Sequence, residues 1–590
     1  MTFRPRALTL ALATTLLLPL GISGSTAASP KPGATCAKSG QAIHMNAMVY
    51  TCVKSGKKLV WSKGVPEKKT PAPTGNGQPG NGQPGNGQPG NGQPGNGQPG
   101  NGQPGNGQPG NGQPGNGQPG NGQPGNGQPG GSPTEQQQLL PDTSFLYMRR
   151  IGMSCSTNGV FGFTGGMLAI CKNNIVKYAL PTDIPPAPAG GYKTRPSWYP
   201  TLAQQQGQTS EPTCAPSSIK FTSPVVPIAE MAPSIPYGMM VGGHVTPIDH
   251  GYLGIKVLSK VQSTRTEADY VPVTSPAAGT ITSIGNLGGP ATIRVVIEHG
   301  CNVSTVYMVL NRLSGVLASY AEEMKVNGAN KQVSVAVKAG EEFGRQRDNM
   351  IDFNVWDGTQ WLSGFENPFA YVSAEAWKPF TADPLPFFTP ELRTAIEANM
   401  QKTTSPRFGK IDYDVPGAAS GNWFLEGTLG YSGRLISEVA SATGEFPGGA
   451  PTKGKNESDW NHLAIAPHEV DGGKWIFSTG WWSNPAGDPT QTMINIEGSK
   501  PTPDKLTAAS GMVSYQLVQF SPMEPATAPA RTPGATAPYA VGYTLGAGMP
   551  SGVVGLQVNS DGSLNVEINT TMTQASQFTA FTSAKRTYRR

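Results

Sequence analysis

Only six histidines occur in the 590 residues, and two of them share one short stretch, GGHVTPIDHGYL, from Gly242 to Leu253. His244, Asp249 and His250 put two imidazoles and a carboxylate close together in the chain. Imidazole nitrogen and carboxylate oxygen are the donor types that zinc takes. A histidine beside a carboxylate is equally an arrangement for moving protons near neutral pH. A third reading is a polar loop whose groups bond one another, because buried polar groups need partners whatever their role. The stretch alone does not choose among the three.

The elements around it narrow the choice. From about Pro216 to Ser373 short apolar-alternating runs follow one another: YVPVTSPAAGTITSIG, ATIRVVIEHG, CNVSTVYMVLNRL, VSVAVKAGEEFG and MIDFNVWDG, with glycine and proline at the turns. That pattern predicts an antiparallel β domain over 216–373.

The order of these runs resembles the lysostaphin-type zinc endopeptidases, which cut peptidoglycan cross-bridges and fold as a β-sandwich on a duplicated hybrid motif. The family opens with a metal histidine and aspartate. A strand of the form V-x-A-x-x-x-G-x-V follows, in whose place VTSPAAGTI stands here (Val273 to Ile281). The family's V-x-I-x-H-G and later tyrosine match VVIEHGCNVSTVYMVL, with His299, Gly300 and Tyr307. Its glycine turn matches VKAGEEFG, with Gly340 and Gly344, and its last strand falls at MIDFNVWD. The resemblance covers about residues 240–370.

The departures bear on the chemistry. A zinc hydrolase needs three protein ligands, an open position for water, and groups that stabilise the oxyanion and carry protons. The resemblance places the family's two proton-carrying histidines at Val309 and Met350, neither of which can donate. It places a metal ligand at Asp352. His244 and Asp249 stand five apart where the family's pair stands four apart, and His250 offers a substitute nitrogen. The implied metal set is therefore His244, Asp249 or His250, and Asp352, holding one zinc ion. No other cofactor is expected, and His299 is expected to be structural.

The rest of the chain sets the compartment. Arg4 and Arg6 precede an apolar run, Ala7 to Leu20, and small residues follow at 25–28, which reads as a secretory signal over 1–28. No stretch approaches the ~20 apolar residues of a membrane span, so a secreted, extracellular or wall-associated protein is expected. An oxidising compartment turns the even cysteine count toward disulfides. The net charge of +6 is mild for this length and gives no argument for nucleic acid, while it suits an anionic cell wall.

From Gly75 to Pro129 the unit GNGQP recurs eleven times without a break. It has no apolar side chain to bury, so 66–140 is expected to be a disordered spacer, with the repeats spanning roughly 40 Å. On either side stand two similar segments, Gly33 to Trp61 and Gly152 to Leu180, each with its second cysteine sixteen after the first. They predict two small modules, 29–65 and 141–185, closed by Cys36–Cys52 and Cys155–Cys171. Cys214 and Cys301 are left to pair with each other.

After a linker at 186–215, the β domain and a helical connector at 374–405, turn residues recur to the end, predicting an all-β barrel or sandwich over 406–590. GNW at Gly421 to Trp423, with arginines closing the chain, resembles the calycin barrels over that short match only. Trp475, Trp481 and Trp482 are candidates for a sugar-stacking platform or for packing. His462 and His468 match no motif. A carrier for a small apolar ligand is a third reading for this barrel region.

The whole is expected to be mainly β, and to be a secreted envelope protein with a degenerate metallopeptidase-like domain. It would lack catalysis and bind or scaffold peptidoglycan or another wall polymer. The alternative is a metal-dependent hydrolase of such a polymer with non-standard catalytic residues.

Overall fold

The computed structural model describes residues 42–66 and 150–590. It is interrupted at 46–47, 56–57, 64, 165, 189, 209–210, 257–259, 261–263, 290–291, 348–349, 445–460, 481–489 and 524–541. The expected signal segment, the GNGQP repeats, Cys36 with its expected link to Cys52, and Trp481 and Trp482 lie outside the described residues. The described residues fall into two compact units, within Leu20–Gln137 and within Gln138–Arg590.

The smaller unit is an antiparallel meander of β1 (Ala42–Met45), β2 (Met48–Ser55) and β3 (Lys58–Trp61), with β4 (Val65–Pro66) also paired to β2. Cys52 lies in the middle strand opposite Trp61, and both are buried.

The larger unit begins with the same design. Strands β5 (Phe161–Thr164), β6 (Met167–Lys172) and β7 (Ile175–Tyr178) form a meander whose middle strand carries Cys171, bonded to Cys155. Asn173 and Asn174 turn the β6–β7 hairpin with φ of +52° and +58°, a left-handed pair that asparagine tolerates. The segment expected as a plain linker packs instead. Trp198, Tyr199 and Leu202 are buried, and a short helix α1 (Leu202–Gln205) starts at Thr201, whose hydroxyl accepts from the Gln204 N–H at 3.1 Å. Cys214 bonds Cys301 as expected.

The β domain is built from β8 (Met231–Ile235), β9 (Gly251–Ile255), β10 (Val271–Thr274), β11 (Gly279–Asn286), β12 (Ile293–Gly300), β13 (Val303–Leu310), β14 (Arg312–Leu313), β15 (Asn330–Val337), β16 (Glu342–Gln346) and β17 (Ile351–Asp357). Seven of them make one antiparallel sheet in the order β15-β11-β12-β13-β17-β9-β8, and β10-β16-β14 make a smaller one. Alternation along each strand divides the residues between two faces. Ile351, Phe353 and Val355 of β17 join Val295 and Ile297 of β12 in the core shared with Val271, Val273 and Phe343 of the smaller sheet. Trp356 of β17, Val296 and Val306 pack on the other side, against the second cysteine module and Trp198, Tyr199 and Phe380.

A short helix α2 (Phe369–Val372) comes just before the connector, which holds α3 (Pro390–Glu397). Of the two architectures expected for the C-terminal region, the closed barrel forms. Its eight strands pair in chain order: β18 (Gly421–Leu425), β19 (His462–Pro467), β20 (Trp475–Thr479), β21 (Thr490–Asn495), β22 (Val513–Met523), β23 (Gly542–Val558), β24 (Leu564–Asn569) and β25 (Arg586–Arg589), the last closing on the first. Its core is aliphatic and aromatic, including Trp423, Leu463, Phe477, Tyr515 and Tyr588. Gly421 is required: its φ is +125°, and a Cβ there would meet Asp414 Oδ1 at 2.2 Å. Trp475 is half-buried against the barrel core, as packing.

Candidate functional site

His250 stands at the start of β9, and β9 pairs with β17 so that Tyr252 lies opposite Asp352. This register brings the GGHVTPIDHGYL stretch over the face of the sheet that carries Asp352, Asn354 and Trp356. His244, Asp249, His250 and Asp352 thus collect in one place, although about a hundred residues of chain separate the first three from the last. The rings of His244 and His250 lie 5.7 Å apart at a steep angle.

The bonding within the group is unequal. His250 Nδ1–H donates to Asp249 Oδ1 at 3.2 Å. Asp249 Oδ2 accepts from Trp377 Nε1 at 2.8 Å and from Asn354 Nδ2 at 3.2 Å. Both oxygens of Asp249 are therefore in use, and its role is to orient His250. On the other side of the ring, Nε2 lies 3.4 Å from Asp352 Oδ2 without hydrogen-bond geometry. Asp352 Oδ1 and the Tyr252 hydroxyl are likewise buried without a hydrogen bond.

Two buried carboxylates thus face one buried imidazole. Burial works against ionisation of Asp249, yet its bond from His250, the nearby Lys378 ammonium and the Trp377 bond outweigh it and hold the carboxyl well below its usual range. Asp352 has fewer donors, and burial pushes it up to about 6. Burial works against the charged form of His250, but the charge of Asp352 and the bond to Asp249 outweigh it and raise its pKa. His244, only partly exposed at the edge, is pushed down by burial and by the charges of His250 and Lys378. Lys378 is buried, pairs with Glu375 at 2.8 Å and reaches the Tyr431 hydroxyl at 3.3 Å. That hydroxyl also receives Thr246 Oγ1 at 3.4 Å, which fastens the stretch to the entry of the barrel.

No protein-family model matches the chain, and no curated protein matches it. Two ligands of one tetrahedral zinc, each ~2.0–2.2 Å from the metal, stand about 3.4 Å apart, which is the spacing of His250 Nε2 and Asp352 Oδ2. An imidazole whose other nitrogen donates to a carboxylate is also the usual second layer of a metal site. As arranged, however, no group of three or more His, Cys, Asp or Glu side chains among the described residues is spaced to hold a metal ion. The cluster offers a pair of donors, where a zinc hydrolase uses three.

The two positions expected to lack proton-carrying groups are joined by an unexpected residue. Gln346 is fully buried, and its Nε2 donates to the carbonyls of Val309 at 3.0 Å and Met350 at 3.1 Å. Its Oε1 accepts from the Asn311 N–H at 2.8 Å. Val309 has φ of +55°, in the left-handed region that a β-branched residue rarely enters, at the place where the β12–β13 register shifts. The strand end is clamped into this shape.

His299 behaves as expected of a structural residue. Its Nδ1–H donates to the Ala278 carbonyl at 2.9 Å, and the Thr305 hydroxyl donates to Nε2 at 2.9 Å. His462 is buried against Tyr431, bonding its carbonyl through Nε2 at 3.1 Å. His468 Nδ1 accepts from the Val470 N–H at 3.1 Å. Neither joins the cluster. Sequence reasoning missed Asn354, Tyr252, Trp377 and Gln346. The first two follow from strand alternation once Asp352 and His250 are placed on neighbouring strands. Nothing local in the sequence points to Trp377 or Gln346.

Proposed function

We propose that the chain is an exported cell-envelope protein whose sheet domain binds or scaffolds a wall polymer without cutting it. One observation carries the absence of cutting. Where the resembled endopeptidases keep two proton-carrying histidines, this chain has Val309 and Met350, and Gln346 fixes the backbone at both. Removing one oxyanion donor from a hydrolase costs about 10²–10³ in rate, and two lost groups leave the site without that stabilisation. Part of the sheet face is also filled from within: Val296, Val306 and Trp356 lie under the second cysteine module. Binding of wall polymer rests on the resemblance and on the signal segment. Co-sedimentation of the full chain with insoluble peptidoglycan tests it: the chain pellets with the polymer, and recovery in the supernatant at every protein concentration would overturn the reading.

A second reading is a metal-dependent hydrolase of the same polymer. It draws on His250 Nε2 and Asp352 Oδ1, buried and without hydrogen bonds. Equimolar zinc retained through dialysis, and lost in Asp352→Asn, would favour it.

A further inference from the structure

Arg294 lies on β12 between Val295 and Ile293, which point into the core, and so projects onto the opposite face with Val296 and Trp356. Its guanidinium carbon is 5.9 Å from the centre of the Trp356 ring, and Trp356 in turn lies 5.6 Å from Trp377. The side chain is partly buried. Among the described residues it forms no hydrogen bond and no ion pair, although a guanidinium presents five donors in a fixed fork. The negative charge that acts on it, that of Asp249, is already bonded to His250, Trp377 and Asn354. Elsewhere on this sheet the polar groups do find partners: Gln206 Nε2 donates to Ser304 Oγ at 2.8 Å and Gln208 Nε2 to Glu298 Oε2 at 3.2 Å.

We infer that Arg294 is a ligand-binding residue, and that its guanidinium, backed by the buried Trp356 ring, receives the carboxylate of a molecule reaching it from solvent. A guanidinium fork matches a carboxylate with two parallel bonds, and an aromatic plane beneath it holds the fork in position. The cation is partly dehydrated where it stands, so an anion replaces water at lower cost than at an open surface. Burial lowers the pKa of Arg294 while Asp249 opposes that, in keeping with a charge lacking a full complement. The inference deepens the wall-binding reading by naming the chemistry recognised. A peptide carboxylate and an acidic sugar both supply that chemistry.

The test is calorimetric titration of the full chain with three probes: N-acetyl-D-alanyl-D-alanine, its C-terminal amide, and D-glucuronate. The dipeptide acid is expected to bind at least tenfold more tightly than the amide. Arg294→Gln is expected to remove that preference, and Arg294→Lys, which keeps the charge without the fork, to weaken the acid severalfold. Melting curves establish that each variant is folded, and the acid–amide comparison on the unaltered chain stands without them. Arg294-dependent binding of glucuronate alone keeps the carboxylate site and turns it from peptide to acidic sugar. Equal binding of acid and amide, binding unaffected by both variants, or no binding of any carboxylate overturns the inference. Co-sedimentation with peptidoglycan persisting in Arg294→Gln, beside failed titrations, would sink the inference and leave the wall-binding reading standing.

Discussion

Arg590, at the end of the chain, holds its guanidinium carbon 3.9 Å from the centre of the Trp423 ring, and Arg294 lies 5.9 Å from the centre of Trp356. At the barrel, Arg590 donates to Glu366 at 2.8 Å, to the carbonyls of Val415 and Ala418 at 2.9 Å each, and to that of Ser420. On the sheet, Arg294 has no acceptor among the described residues. Two histidines repeat the contrast: His299 has both ring nitrogens bonded, whereas His250 has Nε2 directed at a carboxylate without a bond. Arg590 bonds the fold through both terminal nitrogens, although its Nε is buried without a hydrogen bond, and His299 does so through both ring nitrogens; a group bonded in this way is explained by the fold itself. Arg590 and His299 hold structure together. Arg294, His250 and Asp352 occupy one face, where Arg294 makes no hydrogen bond among the described residues and His250 Nε2 and Asp352 Oδ1 are buried without one; the proposed binding surface rests on these groups.

The contrast predicts its largest effect at the barrel. Arg590→Ala takes a donor from Glu366 and from three carbonyls, two of which (Val415 and Ser420) keep a backbone N–H, and removes the cover of Trp423, so urea unfolding should show a loss of about 3 kcal/mol. Arg294→Gln should stay within ~0.5 kcal/mol of the parent, as for a side chain with no bonds to lose. Equal losses would erase the distinction between the two arginines.

A comparable effect is expected from His299. Burial depresses its pKa to about 4, below the ~6.5 of an unfolded histidine. The unfolded chain therefore takes up this proton first as the pH falls. The contribution is complete above about pH 6.5 and is lost on acidification toward pH 4, up to about 3 kcal/mol. Stability measured in steps over this window should fall less steeply in His299→Gln. An unchanged slope would mean that His299 is not the group responsible.

Much of this was readable beforehand, and the reasons for the rest are physical. Period-two alternation in YVPVTSPAAGTITSIG and MIDFNVWDG marks strands because one face is buried, and β10, β11 and β17 form there. Equal cysteine spacing predicted Cys155–Cys171, and elimination predicted Cys214–Cys301. The convergence of His244, Asp249 and His250 with Asp352 was visible only through family resemblance, since no local pattern joins strands so distant in sequence. The clamp by Gln346 and the bond from Trp377 to Asp249 depend on long-range packing, which leaves no periodic trace. The packed state of residues 192–205 had a cue in Tyr192, Trp198 and Tyr199, whose apolar bulk is costly to leave in water.

The smallest expected effect sharpens the account of the altered strand end. Val309→Gly relieves a left-handed backbone that costs a β-branched residue about 1 kcal/mol or more, at the expense of a partly exposed side chain. The melting temperature should rise slightly or hold. A clear drop would show that the Val309 side chain, and not only its carbonyl, stabilises the β12–β13 irregularity.

The central claim is that this sheet face binds and does not cut. Its most direct measurement is the release of free amino groups when the purified chain, with zinc supplied, is incubated with cross-linked peptidoglycan. The account predicts no release above the protein-free control, in the parent chain and in His244→Ala alike. Sustained release by the parent, abolished by His244→Ala, would contradict it and make the chain a hydrolase.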